Sequence, residues 1–265
     1  MPLYSHTVGD KTKPALVFLH GFLGNHRDWL KTIDHLKDDF YCIAIDLPGH
    51  GKSVSTPTSL DSGFDECCRL IKNALNELHL QNYILIGYSL GGRIALDYAR
   101  STNDQKLRAL VLESSHTGLI TSSEKQSRLQ HDTNWATRFA TQAIVESLYQ
   151  WYEQDVFSDL SCEQKDFIVN IRSHNYGVCL ANMLLSTSLA KQVDALPFLQ
   201  NNAQKQTPLP IYYCIGERDT KFKALSKRLA DTVNIPVTEF TDVGHNIHCK
   251  NPLQYSQFIK QHFSE

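Results

Sequence analysis

Short apolar runs, nearly continuous, alternate along the chain with longer segments whose apolar positions recur every three or four residues. The runs fall at 15–20, 41–47, 83–89, Leu107–Glu113 and Ile211–Gly216, with a weaker one at 237–241. Apolar at successive positions, they predict strands buried on both faces and therefore a mostly parallel sheet. Helical periodicity occupies 28–37, 60–79, Leu90–Thr102, 223–232 and 253–262. Strand and helix thus alternate as they must when helices cover a parallel sheet. Residues 3–8 alternate weakly and predict an edge strand. From Ser114 to about residue 206 no strand-like run appears. That stretch carries an amphipathic pattern at 144–152 and a helix-start signal, Ser161-x-x-Gln164. A structureless loop of such length is rare in a compact domain. The expectation is a helical lid over residues 114–206, inserted into a core made of residues 1–113 and 207–265. The break at Thr207-Pro208-Leu209-Pro210 returns the chain to the sheet.

The densest chemistry lies where the third strong run meets a helix. Gly87-Tyr88-Ser89-Leu90-Gly91, followed by Gly92, is a G-x-S-x-G on a strand–turn–helix junction. Such a turn holds the serine on a strained backbone with its hydroxyl exposed at a helix N-terminus, the nucleophile elbow of the α/β-hydrolase fold. A serine there needs a base, and the base needs an acid to fix its tautomer. His245, in Val243-Gly244-His245-Asn246, follows the last run, and Asp219, in Gly216-Glu217-Arg218-Asp219, follows the Ile211–Gly216 run. The order Ser, Asp, His is the order this fold uses. Asp242 and Glu217 are rival acids, and His248 is a rival base inside the approach to the last helix. The loop His20-Gly21-Phe22-Leu23-Gly24 closes the first strong run. It predicts one backbone donor of an oxyanion hole at Phe22, with the second at Leu90. His20 reads as a histidine that ties loops together, and Asp46-Leu47-Pro48-Gly49-His50-Gly51 as scaffold. Arg93 stands four residues after Ser89, one helical turn below it on the same face. Small or apolar residues are common there. Arg128 and Arg172 lie in the helical stretch, where a lone arginine is most often a solvated charge. Three arginines converging on one pocket would instead select a polyanion, because guanidinium forks match carboxylates.

Composition narrows the remaining choices. The 265 residues suffice for one α/β domain with an insertion. A hydrophobic share of 42% and a charged share of 20% are those of a globular protein. The net charge of -2 offers no field to attract nucleic acid or an anionic membrane. Residues 1–14 lack the charged and apolar segments of a signal peptide, and no apolar run reaches membrane-spanning length. The 7 cysteines, irregularly spaced and without C-x-x-C, read as free buried thiols of a reducing cytoplasm. No H-E-x-x-H, P-loop or dinucleotide fingerprint occurs, so neither metal nor organic cofactor is expected. A monomer is the expected state.

The chain closely resembles the 2-succinyl-6-hydroxy-2,4-cyclohexadiene-1-carboxylate synthases, lyases of menaquinone biosynthesis on the α/β-hydrolase fold. The resemblance covers nearly the whole length. The first strings that carry it are Leu16-Val17-Phe18-Leu19-His20-Gly21-Phe22, the Asp46–Gly51 string and Gly87-Tyr88-Ser89-Leu90-Gly91-Gly92-Arg93. In the lid they are Trp135-Ala136, Arg138-Phe139, Trp151-Tyr152, Val156-Phe157, Arg172-Ser173, Met183-Leu184 and Ser186-Thr187-Ser188-Leu189-Ala190. The last are Gly216-Glu217-Arg218-Asp219, Lys221-Phe222 and Gly244-His245-Asn246. The resemblance implies elimination of pyruvate from 2-succinyl-5-enolpyruvyl-6-hydroxy-3-cyclohexene-1-carboxylate, a tricarboxylate, by proton abstraction beside the succinyl ketone. It further implies Ser89 as a base activated by His245, an enolate held by the Phe22 and Leu90 amides, and carboxylates met by Arg93, Arg128 and Arg172. Tyr88 and Trp151 would line the pocket, with Lys221 as a further substrate contact. Two other readings remain open on the residues alone. One is a small-molecule esterase or thioesterase using the same triad; the other is a non-catalytic binding protein on the fold.

Overall fold

The runs assemble into one seven-stranded sheet in a computed structural model that describes residues 1–264. Its strands are β1 (Ser5–Val8), β2 (Ala15–Leu19), β3 (Tyr41–Ile45), β4 (Tyr83–Tyr88), β5 (Leu107–Glu113), β6 (Ile211–Gly216) and β7 (Val237–Phe240). Their order in the sheet is β1-β3-β2-β4-β5-β6-β7. All neighbours are parallel except β1, which pairs antiparallel with β3 at the edge. β2, β3 and β4 are buried at every position, as continuous apolar runs require.

Helices α1 (Leu30–Leu36), α2 (Gly63–Glu77), α3 (Leu90–Thr102), α9 (Thr220–Val233) and α11 (Pro252–Phe263) cover the two faces, and a short α10 (Ile247–Lys250) precedes α11. Alternate strand residues feed two separate cores. Val17, Leu19, Ile43 and Leu85 pack on the α2–α3 side, whereas Phe18, Ile84, Ile86 and Tyr88 pack with residues of α1 and α11. Between β5 and β6 the chain forms α4 (Ser122–Thr141), α5 (Ile144–Trp151), α6 (Cys162–Arg172), α7 (Gly177–Ser186) and α8 (Leu196–Ala203). Capping boxes start α4 at Thr121 and α6 at Ser161, each contributing about 1 kcal/mol of helix stability. α4 to α7 share their own apolar cluster, which includes Trp135, Phe139, Trp151 and Leu184 and meets Leu23 of the core. Leu199 of α8 packs into the cluster under the sheet instead.

β3 lies to one side of β2 and β4 to the other, so the chain switches direction across the sheet between β2 and β4. Ligands of open parallel sheets bind beyond the strand carboxyl ends at such a point. Here the loops that follow β2 and β4 meet under the inserted helices. Cys42, Cys67, Cys68 and Cys214 are buried free thiols, Cys179 and Cys249 are partly buried, and Cys162 is exposed. Among the described residues no helix is long and apolar enough to cross a membrane.

Candidate active site

Ser89 sits between β4 and α3 with φ +49° and ψ −108°, a conformation that strains any residue with a Cβ. Its amide donates to the Glu113 carbonyl at 2.9 Å, which ties the turn to β5. Gly91 and Gly92 make the turn possible. A Cβ on Gly91 would collide with the carbonyls that end β2, and one on Gly92 with the Ser115 side chain.

His245 Nδ1 lies 2.6 Å from Asp219 Oδ2, and its Nε2 lies 3.2 Å from Ser89 Oγ. A carboxylate only accepts, so Nδ1–H donates to Asp219 and Nε2 is left to accept the Ser89 hydroxyl. Asp219 is itself fixed, since its Oδ1 accepts the Phe222 amide at the start of α9. The rings of Phe222, Phe157 and Tyr88 surround His245 and keep water from it. The rival acids lie elsewhere. Asp242 pairs with Arg218 at the surface, and Glu217 accepts the Asp242 amide.

The loop after β2 brings Phe22 beside Ser89. Neither the Phe22 amide nor the Leu90 amide donates to a protein acceptor among the described residues. Leu90 is the first residue of α3, where an N–H has no intrahelical partner. Two histidines hold the surrounding loops. His20 Nδ1–H donates to the Gly21 carbonyl and its Nε2 accepts the Leu47 amide at 2.9 Å. His50 does the same between the Pro48 carbonyl and the Leu23 amide. Burial, reinforced by the neighbouring His20, pushes the His50 pKa down to about 3, so it stays neutral in that role. Asp46 accepts from the His26 and Lys52 amides and from the His26 ring.

Beyond the hydroxyl opens a cavity of about 330 Å³. Phe22, Ser89, Leu90 and His245 form one side of it, and Trp151, Phe157, Leu184 and Leu189 supply apolar wall. Arg93, Arg128 and Lys221 line it as well. Arg93 is only 7% exposed, and its Nη1 donates to the Thr187 carbonyl at 2.9 Å. No carboxylate stands within ion-pair distance of it among the described residues. Burial, with Arg128 nearby, lowers its pKa to about 9. Arg128 Nε pairs with the buried Asp132 at 2.8 Å. Crowding by the surrounding protein, then by Arg128, also lowers the Lys221 ammonium. Of these three cations only Arg128 has an ion-pair partner among the described residues, so the cavity carries an excess of positive charge. Among the described residues no group of three or more His, Cys, Asp or Glu side chains is arranged to hold a metal ion.

Two residues expected in the pocket lie outside its lining. Tyr88 is buried behind the triad, its ring between those of His245 and His248 at 5.3 and 5.0 Å. The reason is strand alternation: residues 84, 86 and 88 of β4 all face the α1–α11 layer. Arg172 is buried at the end of α6, where its Nη2 pairs with Asp28 at 2.7 Å. Burial alone would lower the Arg172 pKa, but Asp28 and the Tyr152 phenol outweigh it and raise the value above the usual arginine range. The protein thus provides this arginine's carboxylate, from a position 144 residues away in sequence. Sequence reading also passed over cavity residues. His116, His131, Ser114 and Gln154 line it. For Ser114 and His116 a signal existed: both lie within three residues of the carboxyl end of a central parallel strand.

The alpha/beta hydrolase fold family model matches residues 14–252. A protein of Photorhabdus laumondii, named 2-succinyl-6-hydroxy-2,4-cyclohexadiene-1-carboxylate synthase, is 40% identical over 256 residues, 97% of this chain and 87% of that protein. One of Yersinia enterocolitica with the same name is 37% identical over 254 residues, 96% and 88% of the two chains. The solved structure of MenH from S. aureus superposes with a TM-score of 0.86 at 26% identity, covering 98% of this chain and 97% of that one. A thermophilic esterase from Thermogutta terrifontis superposes at 0.80 with 21% identity, covering 98% and 92%, a likeness of fold alone.

Proposed function

The chain belongs to the 2-succinyl-6-hydroxy-2,4-cyclohexadiene-1-carboxylate synthase family of the α/β-hydrolase fold, and from that membership we propose how its residues carry out the family's reaction. The reaction eliminates pyruvate from 2-succinyl-5-enolpyruvyl-6-hydroxy-3-cyclohexene-1-carboxylate. The observation that carries the proposal is the joining of a Ser89–His245–Asp219 relay to a cavity with more cations than carboxylates.

The chemistry needs a base, an oxyanion site and anchors for three carboxylates. His245 accepts the Ser89 proton, and the Ser89 oxygen removes the proton from the ring carbon that bears the succinyl ketone. The electron pair moves onto the ketone oxygen, where the unpartnered Phe22 and Leu90 amides receive the charge. It then returns through the ring double bond and expels the enolpyruvyl oxygen. The imidazolium returns the proton to the leaving enolate, which becomes pyruvate. One C–H and one C–O bond break, the single ring double bond of the substrate becomes the two of the diene, and no redox partner is required. Arg93, Arg128 and Lys221 hold carboxylates so that the C–H approaches Ser89. Trp151 supplies apolar wall beside them. The proposal places the enzyme in the cytoplasm, with its free thiols as support.

Purified protein mixed with the enolpyruvyl substrate should release pyruvate stoichiometrically with the diene chromophore. Intact mass measurement during turnover should find Ser89 unmodified. An accumulating acyl adduct on Ser89, with no pyruvate formed, would replace the lyase by an esterase.

A further inference from the structure

The loop that leaves β5 carries a polar group the proton relay does not use. His116 lies three residues beyond the strand and lines the cavity together with Arg93, Arg128 and Lys221. Its Nδ1 accepts the Gly118 amide at 3.0 Å. That bond fixes the tautomer, because an Nδ1 that accepts leaves the proton on Nε2. Nε2 has no protein partner among the described residues. The loop itself is pinned. Gln192 Nε2 donates to the His116 carbonyl at 2.9 Å, and the Ala195 amide to the Thr117 carbonyl at 2.8 Å. Gly118, at φ +112°, passes so close to the Val193–Asp194 backbone that a Cβ would clash there. The imidazole is therefore held in place before any ligand arrives.

We propose that His116 is a further substrate-positioning residue, whose Nε2–H donates a hydrogen bond to a carboxylate oxygen of the bound substrate beside Arg93. The inference rests on the reading that this cavity takes a polyanion. A fourth cation among Arg93, Arg128 and Lys221 would repel the other three. A neutral donor adds a directed bond without that repulsion. The imidazole is held neutral for this role. Burial, then the charges of Arg93, Lys221 and Arg128, push its pKa down to about 4. Its task is orientation, since proton transfer has its own histidine at His245.

The two ring nitrogens can be tested separately. In His116→Asn the side-chain oxygen takes the place of Nδ1, so the Gly118 bond is kept and the reach of Nε2 is lost. In His116→Gln the amide nitrogen takes the place of Nε2 and the Gly118 bond is lost. Steady-state kinetics with the enolpyruvyl substrate should show KM raised about ten- to a hundredfold in His116→Asn, with kcat held within about threefold. His116→Gln should stay near the wild-type KM. Equal loss in both variants, or the larger loss in His116→Gln, would overturn the proposal and leave a histidine that only holds its loop. Should His116→Asn melt early, His116→Gln decides alone, and a raised KM there overturns it. A wild-type protein that releases no pyruvate would count against the proposed reaction and not against the donor, which keeps the two failures apart.

Discussion

Tyr88 separates two histidine–carboxylate pairs built from the same chemistry. On its cavity side, His245 donates to Asp219, and its second nitrogen meets the Ser89 hydroxyl. On its far side, His248 meets Glu113 at 2.9 Å, and both side chains are fully buried. The Glu113 carboxylate also accepts the Ile247 and His248 amides, and Trp29 stacks on the His248 ring at 3.7 Å. The second nitrogen of His248 has no partner among the described residues. Burial alone would keep His248 neutral, but Cys249 and Glu113 outweigh it and raise its pKa to about 10. The arginines divide in the same way. Arg172 has Asp28, whereas Arg93 has a single carbonyl and an open cavity. What separates a working group from a scaffold group here is where its last hydrogen-bonding position points. Residue type and burial are shared by both.

The largest effects should fall on the cavity side. Ser89→Ala, His245→Ala and Asp219→Asn should each lower kcat by at least about a thousandfold while leaving the thermal melt near wild type. In the proposed relay the three act as a unit, so Ser89→Ala combined with His245→Ala should be little worse than either alone. A folded single variant with wild-type turnover would remove that residue from the relay.

The two arginines give the sharpest contrast. Arg93→Ala should cost roughly 2–5 kcal/mol of transition-state binding, about thirty- to several-thousand-fold in kcat/KM, with little change in melting temperature. Arg93→Lys should recover only part, since the fork is lost. Arg172→Ala should instead strand the Asp28 carboxylate and destabilise the fold by about 3–5 kcal/mol, roughly 6–20 °C in Tm. If Arg172→Ala keeps its Tm and loses kcat/KM as Arg93→Ala does, the contrast fails and Arg172 belongs with the substrate.

The scaffold pair has a signature in pH. The folded His248 pKa stands above its ordinary value of 6.5, at about 10. A raised folded pKa means the native state binds the proton more tightly. Its contribution to stability is therefore complete below pH 6.5 and is lost as pH climbs through about 10. Melts from pH 6 to 10 should show the wild-type advantage over Glu113→Gln shrinking with rising pH. An advantage that is constant or grows would mean His248 is neutral in the native state. The smallest effect belongs to Lys221, which is exposed at the cavity. Lys221→Ala should raise KM by less than about tenfold, and the difference should fade at high salt.

Much of this molecule is legible in the order of its residues. The Leu107–Glu113 and Ile211–Gly216 strands and the Leu90–Thr102 helix fall where hydrophobic periodicity puts them. The other predicted strands and helices shift by a few residues at their ends, where fraying and turn geometry outweigh periodicity. Ser89 is visible because an elbow requires glycines at fixed offsets, a constraint that is local in sequence. The rest depends on pairings across the chain. Nothing near Arg172 announces Asp28, and nothing near His245 shows that Asp219 reaches it while Asp242 turns to Arg218. The resemblance implies Tyr88 as pocket lining, yet the two-residue period of β4 turns it to the opposite side. Periodicity, turn chemistry and the order Ser, Asp, His are short-range properties, and the sequence alone determined the fold class and the elbow from them. Whether a buried histidine, arginine or carboxylate is already partnered is a long-range property of how loops from five strands meet. Only the tertiary structure decided it, because a hydrogen bond depends on where two atoms stop in space and not on how far apart their residues lie along the chain.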